Sequence, residues 1–289
     1  MITENKPRFV RETLQMAVSF LKNNNIPDAG NDALVLLGAA LGLTKEKLLL
    51  AFPEEMPMDK WDNFRKMLEA RRKGYPLQYL TGKQEFMSLL FTVTPAVLIP
   101  RPETELLVEK VIDLARNAKE PLKIIDVCTG SGCIINSICY YVKKGIFLAS
   151  DISEQALEIA QKNAQELGLA REIAFFQGDL LSIQEFKDAD VIVSNPPYII
   201  REEIQTLQRE VSLYEPKLAL DGGEDGLEIY RRLIPEAQVT LKKAGWLFVE
   251  IGCEQGEVTR KLFANNGFIN IAVSKDLNNL DRIVSGQKR

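Results

Sequence analysis

Apolar residues recur at helical spacing over the first quarter of this chain and in short strand-like runs through the remainder. Phe9, Leu14, Ala17, Val18 and Leu21 share roughly one helical face, which predicts a helix over residues 8–24. Ile26-Pro27-Asp28-Ala29-Gly30 interrupts it. A second helix is expected over 32–41 with Gly42 ending it, and a short third over 44–49 with Thr44 as its cap. A fourth runs from about Asp59 toward Arg72, where Lys73-Gly74-Tyr75-Pro76 stops it. The result is a small domain of four or five helices. Two strand-like runs, 85–87 and 89–93, then suggest a hairpin. Arg101-Pro102-Glu103-Thr104-Glu105 opens a further helix reaching about Arg116, since proline and early carboxylates suit a helix start.

From residue 122 strands and helices alternate. Runs at 123–127, 145–149, 173–177, 190–194 and 245–251 predict five strands. The segments 133–143, 153–167, 227–241 and 255–266 predict helices, with Ser153 a cap and Pro235 a kink or a late start. The tail segments 268–274 and 282–286 suit an edge hairpin. Residues 199–225 lack a strong period and read as a long excursion over the site. The expected fold class is α/β: a doubly wound, mostly parallel sheet of seven strands, with a small N-terminal helical domain. The expected divisions are a helical domain at 1–75, a hairpin linker at 76–94 and the α/β domain at 95–289.

Charge and composition narrow the chemistry. The formal net charge is -4, and the lobes differ. Residues up to 80 carry 12 Lys and Arg against 10 Asp and Glu, and the remainder carries 24 against 30. An acidic large lobe argues against a nucleic-acid-wrapping surface. The chain has no histidine, which removes Ser-His-Asp triads, Cys-His pairs and His-ligated metals. Cys128, Cys133, Cys139 and Cys253 form no Cys-x-x-Cys pair and sit in or beside apolar runs. They read as buried free thiols of a reducing compartment, with no metal expected. Charges at Glu4, Lys6 and Arg8 fall where a signal peptide would need an apolar core, and no stretch approaches a membrane span. A soluble cytoplasmic protein with no membrane partner is the expectation.

The densest chemical signal is Asn195-Pro196-Pro197-Tyr198, delivered directly by the strand at 190–194. Pro-Pro cannot continue a central strand, so the chain leaves the sheet stiffly with its carbonyls fixed in direction. Asn195 adds a planar group with a donor and an acceptor, suited to gripping a planar NH2 such as an amide or a nucleobase amine. The first strand ends in Asp126-Val127-Cys128-Thr129-Gly130-Ser131-Gly132. Its glycines allow a tight turn and close ligand approach, with Thr129, Gly130 and Gly132 as candidate contacts. The run lacks a Walker lysine, and Ile135 stands where a dinucleotide fingerprint has its third glycine. Asp151 ends the second strand, placed to accept ribose hydroxyls, and Asp179 ends the third, placed to accept from an adenine amine. Asp126 sits beneath the turn. Three acidic strand ends disfavour a pyrophosphate and favour a cationic nucleoside, so S-adenosylmethionine fits better than a nicotinamide dinucleotide.

With these elements in order, the chain resembles a class I methyltransferase that modifies a planar nitrogen. Asn195-Pro196-Pro197-Tyr198 is similar both in N6-adenine methyltransferases and in peptide-chain-release-factor glutamine N5-methyltransferases. Ile99-Pro100-Arg101-Pro102-Glu103-Thr104-Glu105 resembles the latter family, as do Glu215-Pro216, Glu250-Ile251-Gly252 with Gln255-Gly256, the tail Asp281-Arg282-Ile283-Val284 and the helical lobe. Cys128 and Asn136-Ser137 depart from its usual small or aliphatic residues near the glycine turn. The resemblance implies a class I methyltransferase sheet and S-adenosylmethionine as cofactor. It implies release factors as protein substrates and the Gly-Gly-Gln glutamine as methyl acceptor. Asn195, Pro196 and Tyr198 are then catalytic, and Pro197, Arg101 and Glu103 join them in contacting substrate. Asp126, Thr129, Gly130, Gly132, Asp151, Asp179 and Asn195 hold the cofactor, and the helical domain docks the release factor. Two other readings stay open: an adenine methyltransferase, and a non-catalytic scaffold of this fold.

Overall fold

A computed structural model describes residues 7–289 as two compact units. The first contains the chain up to Lys83 together with Gln208–Tyr214. Its helices are α1 (Val10–Asn23), α2 (Ala29–Leu41), α3 (Lys45–Leu50), α4 (Met58–Arg72) and α5 (Leu77–Thr81). The Thr44 hydroxyl accepts from the Lys47 amide at the start of α3. Gly42 closes α2 at φ 70°, a left-handed cap that glycine adopts without steric cost. The apolar faces meet in one core around Leu21, Leu36, Leu37, Leu48, Trp61, Phe64 and Leu68.

The second unit is built on a seven-stranded sheet and a two-stranded hairpin. The hairpin is β1 (Lys83–Phe86) and β2 (Leu89–Thr92), followed by a short 3-10 turn over Pro102–Thr104 and by α6 (Glu105–Asn117). Then come β3 (Leu122–Val127), α7 (Cys133–Val142), β4 (Gly145–Asp151), α8 (Glu154–Glu166), β5 (Ile173–Gln177) and β6 (Ala189–Ser194). After α9 (Arg209–Tyr214) the order is α10 (Glu228–Thr240), β7 (Leu241–Glu250), α11 (Gly256–Asn265), β8 (Phe268–Lys275) and β9 (Asp281–Lys288). The strands lie in the order β5-β4-β3-β6-β7-β9-β8, parallel except for β9, which runs antiparallel to both neighbours.

Alternation along the strands loads both faces of the sheet. Ile124, Phe147, Val191 and Val193 face α6 and α7, packing on Leu107, Val111, Ile135 and Ile138. Ile125, Leu148, Ile192 and Val249 face α10 and α11, packing on Tyr230, Leu233, Ile234 and Phe263. The chain runs from β3 outward through β4 and β5, then crosses to β6 on the other side of β3. The carboxyl ends of β3 and β6 therefore flank the switch point, where open α/β sheets bind ligands.

The boundary at Lys83/Gln84 falls inside the stretch expected as a linker, 76–94. Leu77 and Leu80 of α5 pack on the helical core, whereas Phe86, Leu89 and Phe91 of the hairpin join the core of the sheet. Thr92 and Asn163 exchange backbone-to-side-chain bonds at 2.7 and 3.0 Å, fixing the hairpin to α8. The tail forms the expected edge hairpin, in which β9 enters the sheet beside β7 and β8 lies at the edge. Cys133 and Cys139 are buried free thiols as expected, but Cys253 lies exposed just after β7. Among the described residues, no helix is long and apolar enough to cross a membrane.

The short helix α9 folds with the helical unit through Arg71. That guanidinium reaches Asp32 at 2.6 Å, Glu210 at 2.8 Å and the Tyr75 carbonyl at 3.2 Å. Tyr75 and Tyr214 add an edge-to-face contact at 4.9 Å. Both Arg71 and Asp32 are buried, so losing one leaves the other charged and unpaired. Arg71→Ala is expected to destabilise the helical unit by about 3–5 kcal/mol in chemical denaturation. The double replacement Arg71→Met, Asp32→Leu is expected to recover most of that loss.

Candidate functional site

Four strand ends of the second unit surround a cavity of about 450 Å³, in the size range of small-molecule sites. The turn after β3 supplies Cys128, Thr129, Gly130 and Ser131; the end of β4 supplies Asp151 with Ile152 and Ser153. Gly178, Asp179 and Leu180 follow β5, and Asn195 and Pro197 follow β6. Pro95, Val97, Leu98 and Ile134 provide apolar wall.

The glycine turn is built by close packing. Gly132 has φ +74°, and a Cβ there would stand 2.9 Å from the Ala160 Cβ on α8 and 2.7 Å from Asn136 Nδ2. Only glycine satisfies both conditions. Asp151 holds the turn from the next strand: its carboxylate accepts the Gly130 amide at 2.8 Å and the Ser153 amide at 2.9 Å. Burial raises its pKa, and those amides oppose the shift. Asp179 is half-exposed and pairs with Arg232 at 2.6 Å, a partner on α10 that the sequence pattern does not reveal.

Asp126 lies wholly beneath the turn rather than on the cavity wall. It accepts the Thr129 hydroxyl at 2.6 Å through Oδ2, while Oδ1 has no hydrogen-bond partner among the described residues. Desolvation pushes its carboxyl up to about 7, against the pull of Thr129 and of the Ile135 amide near the start of α7. Gly132 is likewise off the wall, at the contact with α8.

Asn195 is half-buried at the tip of β6. Its Nδ2 donates to Thr104 Oγ1 at 3.2 Å, and Thr104 donates to Glu250 Oε2 at 2.6 Å. The Pro196 side chain is buried behind the lining. Tyr198 also lies off the cavity, with its hydroxyl donating to Glu250 Oε1 at 3.3 Å and its carbonyl accepting from Gln255 Nε2 at 2.9 Å. Burial, followed by the charge of Glu250, raises its pKa, so the phenol stays protonated. Arg101 is on the wall and pairs with buried Glu215 at 2.6 Å, not with Glu103; Glu215 also accepts the Ile99 amide. Glu103 is half-buried and off the wall. Thr104, Arg232, Glu215 and Gln255 carry contacts that sequence reasoning did not assign, since each partner is distant in the chain.

The sequence profile of the PrmC N-terminal domain matches residues 12–82, and that of the methyltransferase small domain matches 102–214. The release factor glutamine methyltransferase of Moorella thermoacetica is 42% identical over 97% of this chain and 99% of its own. The chain belongs to the release factor glutamine methyltransferase family. The Geobacter sulfurreducens member is 37% identical over 96% of both chains. A methyltransferase structure from Pyrococcus furiosus shares the fold at TM-score 0.50 and 16% identity, covering 68% of this chain and 88% of that one. A family member with this sheet is an S-adenosylmethionine-dependent methyltransferase, as the acidic strand ends and glycine turn imply. No cluster of metal-ligating side chains occurs among the described residues.

The desolvated carboxyl of Asp126 gives this methyltransferase a measurable pH signature. The folded pKa of about 7 lies above the ordinary 3.8, so protonation favours the folded state. That contribution is complete at low pH and lost as pH rises through about 7. Asp126→Asn removes it. Calorimetry without cofactor is expected to show the variant's Tm rising relative to the parent's between about pH 4 and 7.

Proposed function

We propose that this enzyme methylates the side-chain N5 of the glutamine in the Gly-Gly-Gln motif of peptide chain release factors. The observation that carries the reading is the pinned amide of Asn195: its Nδ2 is committed to Thr104, which leaves Oδ1 as the acceptor at the cavity. An amide nitrogen is a weak nucleophile because its lone pair is delocalised into the carbonyl. Asn195 Oδ1 and the Pro196 carbonyl accept its two N–H bonds and hold the nitrogen in line for attack. When bound, S-adenosylmethionine would supply an electrophilic methyl, its sulfur taking the electron pair of the C–S bond that the new N–C bond replaces. Positive charge then grows on the nitrogen, where both acceptors strengthen their hold, and the proton departs to water after transfer. No histidine base is needed.

Asp151 is the partner for the ribose hydroxyls and Asp179 for the adenine amine, while Thr129 and Gly130 line the approach and Asp126 and Gly132 shape the turn. Pro197 borders the acceptor pocket, with Arg101 at its wall. Tyr198 and Glu103 act from behind it through the Glu250 region. The relatives' names and the near-neutral helical domain support a protein substrate over an adenine.

Two experiments test the reading. Incubation of the enzyme with labelled cofactor and a release factor is expected to place one methyl group on the Gly-Gly-Gln glutamine by mass spectrometry; label on adenine in an added nucleic acid would overturn it. Asn195→Ala is expected to lower kcat roughly 100-fold with little change in cofactor affinity.

The helical domain is the docking surface for the body of the release factor. It exposes Leu49, Leu50 and Met58 at the end of α3 and the start of α4. The combined change Leu50→Ser, Met58→Ser is expected to raise KM for intact release factor and leave KM for a short Gly-Gly-Gln peptide unchanged.

A further inference from the structure

Thr104 stands between two groups that make opposite demands on it. Glu250, 1% exposed, takes a hydrogen bond from its hydroxyl at 2.6 Å; Asn195 gives it one at 3.2 Å. A hydroxyl carries one hydrogen. While Glu250 is ionised that hydrogen is committed to the carboxylate, so Thr104 can meet Asn195 only as an acceptor. The Asn195 amide must then turn Nδ2 toward Thr104 and Oδ1 away from it. The reversed amide would set two acceptor oxygens against each other.

We propose that Glu250 and Thr104 are positioning residues, a polarity relay that fixes which end of the Asn195 amide meets the methyl-accepting nitrogen. The relay rests on reading Asn195 as the grip for that nitrogen. Glu250 is itself held from several elements. Tyr198 donates to its second oxygen, and Tyr230 on α10 donates to its main-chain carbonyl at 2.7 Å.

Charge around Glu250 makes the relay sensitive to pH. Desolvation pushes its carboxyl up to about 7; Thr104, Arg282 on β9 and Tyr198 pull it down, and Glu103 beside Thr104 pushes it up. The Cys133 thiol on α7, itself pushed up to about 12 by burial, stays neutral, as do the phenols of Tyr198 and Tyr230. Above about pH 7 the ionised carboxylate commits Thr104. Below it the protonated acid can donate to Thr104, whose hydrogen is then free to turn toward Asn195, and the amide loses its fixed direction.

The test compares Thr104→Val, Thr104→Ser, Glu250→Gln and Asn195→Ala in the full chain. The measurements are kcat with saturating cofactor and release factor across neutral pH, and cofactor Kd by calorimetry. The parent's kcat is expected to fall as pH drops through about 7. Thr104→Val, which keeps the shape and removes the hydroxyl, should lower kcat about tenfold above that pH and flatten the acid limb, with cofactor Kd unchanged. Thr104→Ser should recover most of the rate and the limb, and Glu250→Gln should abolish the limb. A Thr104→Val enzyme with the parental kcat and acid limb overturns the relay if Asn195→Ala is crippled in the same assay. If Asn195→Ala also keeps the parental rate, the grip itself is misassigned.

Discussion

The site depends on the register between β3 and β6. Val127 pairs with Ser194 in a parallel ladder, and the Ser194 hydroxyl donates to the Val127 carbonyl at 2.7 Å. The residues that follow these two, Cys128 and Asn195, begin the glycine turn and the Asn-Pro-Pro-Tyr exit. A slip of one residue would turn Asn195 to the other face of the sheet. Because both strands are buried on both faces, the apolar side chains of α6, α7, α10 and α11 resist such a slip. The glycine turn and the Asn-Pro-Pro-Tyr exit are thereby anchored to buried strands in the interior of the sheet.

Polar groups are buried around that register in an order that makes chemical sense. Asp126 and Glu250 are fully enclosed carboxylates at the ends of β3 and β7, each engaging a threonine hydroxyl at 2.6 Å. Thr129 then shapes the glycine turn, and Thr104 meets Asn195. Buried charge is unfavourable unless it is satisfied, and both carboxyls have raised pKa values for that reason. In each case the group behind the wall acts through a hydroxyl on the residues at the wall. Tyr198 belongs to this hidden layer too: its phenol faces Glu250 and its carbonyl is clamped by Gln255, so it holds the exit of the chain from β6 without lining the cavity.

The exit is further secured by the excursion that follows it. The Ile199 amide donates to the Leu220 carbonyl at 3.0 Å and the Gly222 amide to the Ile199 carbonyl at 2.8 Å. A Cβ on Gly222 would stand 2.7 Å from the Tyr198 backbone, so the approach requires glycine. The nonperiodic stretch after Tyr198 is thus mostly turns and short helices with specific contacts, and one of its helices, α9, completes the helical unit.

Local physics made much of this legible in the chain itself. Apolar runs located every strand of the sheet, and capping and breaking residues located the helices within a few positions, except α5 and α9, which fell in stretches read as linker and excursion; of the candidate site residues, Thr129, Gly130, Asp151, Asp179, Asn195 and Pro197 line the cavity. These are properties of neighbouring residues, and sequence patterns report neighbours. What the chain alone left undecided were pairings across long separations: β9 entering beside β7, Arg71 reaching Glu210, Arg101 reaching Glu215. Thr104 and Asn195 lie 91 residues apart, and Thr104 and Glu250 lie 146 apart. No local pattern encodes which buried donor meets which acceptor, because that choice is made by the packing of whole elements. The identity of the amide at the tip of β6 was therefore written in the sequence, and the partner that its Nδ2 meets was decided by the tertiary structure.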